Sequence, residues 1–246
     1  MKIGQALKMA LKSILGNKGR SALTMLGIII GIASVMTIVS VINGSTRKSM
    51  EMMAAMGTNK ISVYANYNNG QDVFQELYDF CQKLSDTVDG VTPNSQFSAT
   101  VVYGTKNSDA MSRNQENMWN DDGTMKSGME LPPQLYFGSD QFAACNNFQI
   151  SKGRDLTYLD VQRYHQVCVL GARAAKNFFN YADPVGQTMQ VNGLPYTVIG
   201  VYGEKDAASA WSLDNVIVFP YTSSRYLSPQ DNMTEFVVKA ASVSAT

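Results

Sequence analysis

The sequence predicts an α+β protein in which one membrane-spanning helix near the N-terminus precedes a water-exposed domain of mixed helix and strand. Three observations carry this reading. Residues 22–42 form an apolar run without a charged side chain, about the length needed to cross a bilayer core. The chain as a whole has a slightly negative mean hydropathy, so any membrane part is small and local. After residue 57, alternating segments interleave with segments of helical periodicity in a β-α-β order, which favours a packed α/β layer.

The charge distribution orients the apolar run. The 246 residues are formally neutral, which removes the basic footprint of a general nucleic-acid binder. Lys2, Lys8, Lys12, Lys18 and Arg20 nevertheless precede residue 22 without a single acid, so that end carries +5 and the remainder −5. Basic residues stay on the cytoplasmic side of a span, which puts the N-terminus inside and residues from 43 onward outside. A cleaved signal peptide fits poorly, because both its basic region and its apolar core are too long and no A-x-A site follows Ile42. The sharp charged-to-apolar boundary at Arg20 argues equally against the core helix of a soluble protein. Gly27 and Gly31 form a G-x-x-x-G, a spacing that lets a second helix approach closely; a pair of ordinary membrane glycines is the plainer alternative. Ile3, Ala6, Leu7, Ala10, Leu11, Ile14 and Leu15 recur at helical spacing, so residues 1–20 read as a cytoplasmic amphipathic segment, with 17–19 turning into the span.

Residues 21–57 are expected to form the membrane helix and an outward extension, since 43–56 contain no proline, and Gly57 is placed to end it. Residues 61–64 alternate as a strand. A polar turn at 66–70 leads to a helix over 72–88 with Val73, Leu77, Phe80 and Leu84 on one face, followed by strand to Tyr103. Residues 105–130, rich in Asn, Asp, Ser, Gly and Met, read as a long exposed loop. Residues 134–137 suggest a strand, 139–147 a short helix, 167–170 a strand and 172–180 a helix. Residues 189–201 read as a hairpin turning at Asn192-Gly193. Residues 216–219 and 235–239 supply two later strands.

Catalytic and metal chemistry find little support. No G-x-x-x-x-G-K-[ST] or G-x-S-x-G occurs, so nucleotide hydrolysis must come from elsewhere. His165 is the single histidine and reads as part of a polar turn entering a strand. Asp121-Asp122, and Glu204 with Asp206, read as solvated turn residues. Cys81, Cys145 and Cys168 lack zinc or redox spacing and are expected to be free, partly buried thiols. No catalytic, cofactor-binding or metal-binding residue is assigned; Gly27 and Gly31 remain as helix-packing candidates. Gly153, Gly171, Gly186, Gly193 and Gly200 read as turn or strand-end glycines, and Arg154 and Asp155 as a local pair or cap.

Four stretches, in order, carry a family resemblance. Residues 21–35 (SALTMLGIIIGIASV) resemble the first transmembrane helix of MacB/FtsX/LolC-like ABC-transporter permeases, and Met56-Gly57-Thr58-Asn59-Lys60-Ile61 is similar to the step after that helix. Gly153-Arg154-Asp155-Leu156-Thr157, ending in Asp160, resembles the core motif of their extracytoplasmic domain. Residues 167–171, 183–187 and 198–201 complete the pattern. The resemblance implies a domain over 58–246 with two lobes, an α/β lobe near the membrane (58–130 and 213–246) and an inserted β-rich lobe (131–212). Family permeases continue to three further membrane helices, so the chain is expected to be a fragment. The resemblance also implies a cytoplasmic ATPase subunit, a second permease copy and an extracytoplasmic partner protein, no cofactor, and a bacterial inner-membrane location. The competing reading is a single-pass sensor or interaction module that works without an ATPase.

Overall fold

The protein's structure, a computed structural model, describes residues 9, 16–56, 59–65, 73–113, 130–205, 214–228 and 233–241. It divides into two compact units, residues 1–53 and 54–246. The expected amphipathic helix over residues 1–20 falls mostly outside the described residues, as do the polar turn at 66–70, Gly57, Asp121, Asp122 and Asp206.

The first unit is built on α1 (Lys18–Met56), 39 residues without interruption, or about 58 Å at the rise of an α-helix. The chain enters it through a turn residue at Asn17, whose carbonyl accepts the Ser21 N–H. Lys18 and Gly19, expected in that turn, are already helical. A helical glycine costs about 1 kcal/mol, which a long cooperative helix absorbs.

In the second unit a three-stranded antiparallel sheet joins β1 (Lys60–Tyr64), β2 (Val88–Pro93) and β12 (Glu235–Ala240), in the order β1-β12-β2. Helix α2 (Val73–Lys83) covers it. Phe74 and Cys81, with Leu77 and Tyr78 beside them, pack on Val91, Phe236 and Val238. The buried stripe is therefore offset from the expected one: Phe80 and Leu84 face outward. The helix also stops at Lys83 rather than Val88, because Val88 is the first residue of β2.

The larger sheet has nine strands: β3 (Gln96–Phe97), β4 (Val101–Tyr103), β5 (Lys106–Asn107), β6 (Gln134–Gly138), β7 (Ile150–Gly153), β8 (Val167–Leu170), β9 (Thr188–Val191), β10 (Leu194–Tyr202) and β11 (Val216–Pro220). Their order is β3-β6-β11-β8-β10-β9-β4-β5, with β7 also on β10. The sheet is mixed, since β11 runs parallel to β6 and β10 parallel to β8. Both faces are covered. Cys168, Leu170, Ile217 and Phe219 point into one cluster with Phe178 and Phe179 of α6 (Ala172–Phe179). The alternate residues Val169 and Val218 point into another with Phe142 of α4 (Phe142–Cys145), Leu156 and Tyr202. Burial on both faces explains why β11 is an unbroken apolar run, with all five residues buried. The β9–β10 hairpin turns as expected: Asn192 (φ 49°) and Gly193 (φ 80°) both take positive φ, as a type I′ turn requires.

Two further expectations are corrected. Part of the loop expected over 105–130 is ordered, as β5 and α3 (Ser108–Arg113); residues 114–129 lie outside the described residues. The sheets also divide the chain differently from the expected lobes. Residues 96–107 and 216–220 hydrogen-bond into the nine-stranded sheet, leaving 60–93 and 235–240 to the small one. Phe97, stacked on Phe137 with centroids 3.9 Å apart, and fully buried Val101 anchor those early strands in the larger core.

Candidate functional site

Two features carry the chain's functional signal: the apolar helix, and the motif that begins at Gly153. In α1, Ile28, Ile29 and Ile30 are all exposed, as are Leu23, Val35, Met36 and Val41. The helix is thus apolar all round, the character of a membrane span rather than of a half-buried surface helix. Among the described residues this is one helix long and apolar enough to cross a membrane, with mean hydropathy 2.5. Three of its hydroxyls bond back within the helix: Thr24 donates to the Arg20 and Ser21 carbonyls, Ser34 to Ile30 and Thr37 to Ala33. Such back-bonding pairs these hydroxyls without water, as lipid surroundings demand. Gly27 and Gly31, one turn apart, open onto empty space where a Cβ would stand.

The motif begins where β7 meets β10. Gly153 stands opposite Gly200, and the Arg154 N–H donates to the Ile199 carbonyl at 3.0 Å. A Cβ on Gly200 would lie 2.1 Å from the Arg154 carbonyl oxygen, and one on Gly153, which has φ +71°, 2.3 Å from that of Ile199. Gly200 therefore sits inside a strand where two backbones touch, not at a turn or strand end as expected. Asp155 then accepts the Leu156 N–H at 2.8 Å and the hydroxyl of fully buried Tyr202 at 2.9 Å. Burial raises the Asp155 carboxyl, opposed by those two bonds.

Thr157 caps α5 (Tyr158–Gln162) in a reciprocal box with Asp160. The Asp160 carboxylate, 1% exposed, accepts the Thr157 N–H at 2.9 Å and its hydroxyl at 2.6 Å. It also accepts both terminal nitrogens of Arg154, at 2.5 and 3.0 Å, and pairs with His165 Nδ1 at 3.0 Å. Burial alone raises a carboxyl, but the bonds from Arg154, Thr157 and His165 outweigh it and hold Asp160 well below the usual carboxylate range. Of the local pair or cap expected of Arg154 and Asp155, the ion pair goes instead to Asp160, and Arg154 reaches only the Asp155 backbone carbonyl, at 3.1 Å. His165, in the turn expected of it, shares the same carboxylate. Thr157-x-x-Asp160 is the sequence signal for this box. The carboxylate's oxygens are all engaged, so the arrangement is a latch that fastens the β7–α5 connection. It holds no nucleophile.

Cys81, Cys145 and Cys168 are free, as expected, and buried rather than partly buried. Burial pushes Cys145 and Cys168 up to about 12. Among the described residues no cluster of three or more His, Cys, Asp or Glu could hold a metal.

Comparison with known proteins agrees with these features. The model of the MacB-like periplasmic core domain family matches residues 21–246. The macrolide export ATP-binding/permease protein MacB of Aggregatibacter actinomycetemcomitans is 31% identical over 209 residues, covering 82% of this chain and 29% of that protein. The protein of the same name from Azoarcus sp. (strain BH72) is 28% identical over 254 residues, 98% of this chain and 35% of that one. The chain therefore spans about a third of the length of these relatives. In fold it resembles the periplasmic region of MacB from Actinobacillus actinomycetemcomitans (TM-score 0.54, 22% identity, 76% of this chain and 77% of that one). It is similarly close to the extracellular domain of the noncanonic ABC-type transporter YknZ from Gram-positive bacteria (TM-score 0.52, 16% identity, 75% and 84% covered).

Proposed function

The chain belongs to the family of MacB-like periplasmic core domains, and from that premise we propose that it is the N-terminal portion of an ABC-transporter permease subunit. In this reading, ATP hydrolysed by a cytoplasmic ATPase is converted into a change of shape in the extracytoplasmic domain, in the service of export, extraction or signalling. In this reading the ATPase is a separate subunit. Another membrane helix, of a second permease copy or of the same permease's later spans, packs on the Gly27–Gly31 face, and the domain meets a partner protein outside the bacterial inner membrane.

The observation that supports this best is the unbroken course of α1 from Lys18 to Met56. A stiff helix that outruns the bilayer transmits movement at the membrane to the chain beyond it; a flexible linker would dissipate it. The five basic residues before residue 22 favour a cytoplasmic start for this helix.

Coupling is tested in the intact permease assembled with its ATPase. Met50→Pro removes a helix hydrogen bond and kinks α1, costing about 3 kcal/mol of local helix stability. ATP hydrolysis should persist while the extracytoplasmic response is lost; a variant that keeps both overturns the mechanism. Orientation is tested by an impermeant maleimide on intact cells, which should label a cysteine replacing Ser45 and spare one replacing Ser13. The buried native thiols keep the background low.

A further inference from the structure

A cleft of about 350 Å³ lies between the two sheets of the second unit. Its walls come from both: Lys60 and Ser62 project from β1 of the small sheet, Gln134 and Tyr136 from β6 and Val216 from β11 of the large one. We propose that this cleft, lined by Lys60, Asn94, Tyr136, Phe142, Phe148 and Lys205, binds a small organic anion: a carboxylate or phosphate group carried on an apolar body.

Asn146 organises the polar end. Its side-chain oxygen accepts Lys60 Nζ at 2.5 Å, and its backbone carbonyl accepts Lys205 Nζ at 2.6 Å. Its own amide is spent on Asn94 Oδ1 (3.2 Å) and the Phe142 carbonyl (3.1 Å). One buried asparagine thus brings two ammonium groups to the same cleft, where an anion can meet both. The apolar end is equally fixed. Phe148 stacks on Tyr202 with centroids 4.6 Å apart, and Phe142 lies beside it at 6.2 Å. Lys205 Nζ stands 3.7 Å from the Phe148 ring centroid, so cation and aromatic surface are adjacent. A few fixed polar groups beside an aromatic wall is the usual make-up of a small-molecule site, and this volume lies within the usual range.

Among the described residues no carboxylate lines the cleft. Asp214 is buried and accepts the backbone N–H of Lys205 through both oxygens at 2.9 Å. Glu235 accepts the Asn94 amide at 3.4 Å. The charged side chains that line it, among the described residues, are Lys60 and Lys205. Burial lowers both lysines, Lys205 to about 8; Asp214 and Glu235 resist this, and Lys60 adds to it at Lys205. A bound anion relieves both the desolvation and the mutual repulsion. Because Lys60 belongs to the small sheet and the aromatic wall to the large one, an occupant also ties the two sheets together.

The test uses the full chain in phosphatidylcholine nanodiscs, titrated by calorimetry in phosphate-free buffer. It needs neither an ATPase nor a transport assay, so its failure is separable from failure of the permease reading. Phenyl phosphate should bind saturably with one site per chain, and about tenfold or more tighter than inorganic phosphate or benzyl alcohol, a difference of about 1.4 kcal/mol or more. The double variant K60Q/K205Q should lose about tenfold or more of that affinity, and K60R/K205R, which keeps both charges, should retain most of it. Phe148→Leu should weaken phenyl phosphate while leaving inorganic phosphate unchanged. Nanodiscs containing phosphatidylglycerol separate two sources of the same chemistry: competition assigns the anion to a lipid headgroup, its lack to a soluble molecule, and either supports the site. Absence of saturable phenyl phosphate binding to the unaltered chain, a measurement independent of whether any variant folds, overturns the proposal. So does undiminished affinity in K60Q/K205Q with an unchanged near-ultraviolet circular dichroism spectrum.

Discussion

Replacing Asp160 by Ala tests whether the latch at the start of α5 holds the second unit together. The substitution removes the side-chain half of the capping box, whose loss costs about 1 kcal/mol. It also removes a carboxylate, 1% exposed, that pairs with Arg154, His165 and the Thr157 hydroxyl. Severing a fully buried pair costs roughly 3–5 kcal/mol, but the Arg154 side chain is 49% exposed and returns to water, which brings that part to about 1–2 kcal/mol. The expected loss is therefore about 2–3 kcal/mol at pH 7. At roughly 2–4 °C per kcal/mol for a domain of this size, the melting temperature should fall by about 4–12 °C.

Denaturant unfolding of the full chain in non-ionic detergent, followed by near-ultraviolet circular dichroism, measures the first quantity, and a thermal scan the second. Acid provides an independent check. Asp160 is held below the ordinary carboxylate range in the folded protein, so its contribution is complete above the unfolded value of about 3.9. It is lost as pH falls through the lower folded value. Asp160→Asn preserves the shape and makes no such contribution, so the gap between wild type and this variant should shrink as pH drops below about 4. A loss under about 0.5 kcal/mol for Asp160→Ala, within the usual range of surface substitutions, or a gap that stays constant on acidification, would refute the reasoning.

Three other outcomes are expected from the same geometry. Gly200→Ala places a Cβ 2.1 Å from the Arg154 carbonyl oxygen and should destabilise the chain by about 1–3 kcal/mol or more in the same denaturant assay; a neutral result would mean that β7 can move off β10 freely. All three thiols are buried and those of Cys145 and Cys168 are raised to about 12, so the native chain at pH 8 should be inert to a disulfide thiol reagent that titrates all three once unfolded. Rapid reaction of the native chain would contradict that burial. Replacing Gly27 and Gly31 together by Leu should weaken association of the full-length permease in a crosslinking assay, because the new side chains hold neighbouring backbones apart. Unchanged association would leave these positions as ordinary membrane glycines.

Local properties were legible in the sequence by itself. The absence of charge over residues 22–42 is a feature of one short segment, and it is enough to specify a long apolar helix whatever the rest of the chain does. Asn192-Gly193 specified its hairpin for a similar reason, since both residues tolerate the positive φ values that the turn demands. The apolar runs of β8 and β11 likewise announced strands, and burial on both faces is why those runs are unbroken. Tertiary structure alone decided what depends on partners distant in the chain. Whether Phe74 and Cys81 or Phe80 and Leu84 turn inward is settled by where α2 lands on β2 and β12, since neighbouring helical stripes are both partly apolar. Strands of two or three residues such as β3, β4 and β5 carry too short a pattern to choose a sheet, and the large sheet claimed them through Phe97 and Val101. Arg154 has two acidic candidates nearby, and the choice of Asp160 reflects the engagement of Asp155 by Tyr202 and Leu156. Lys60 and Lys205 look like ordinary surface lysines in sequence. Only the tertiary fold turns both toward Asn146, because the free energy of bringing distant segments together resides in contacts that no local pattern encodes.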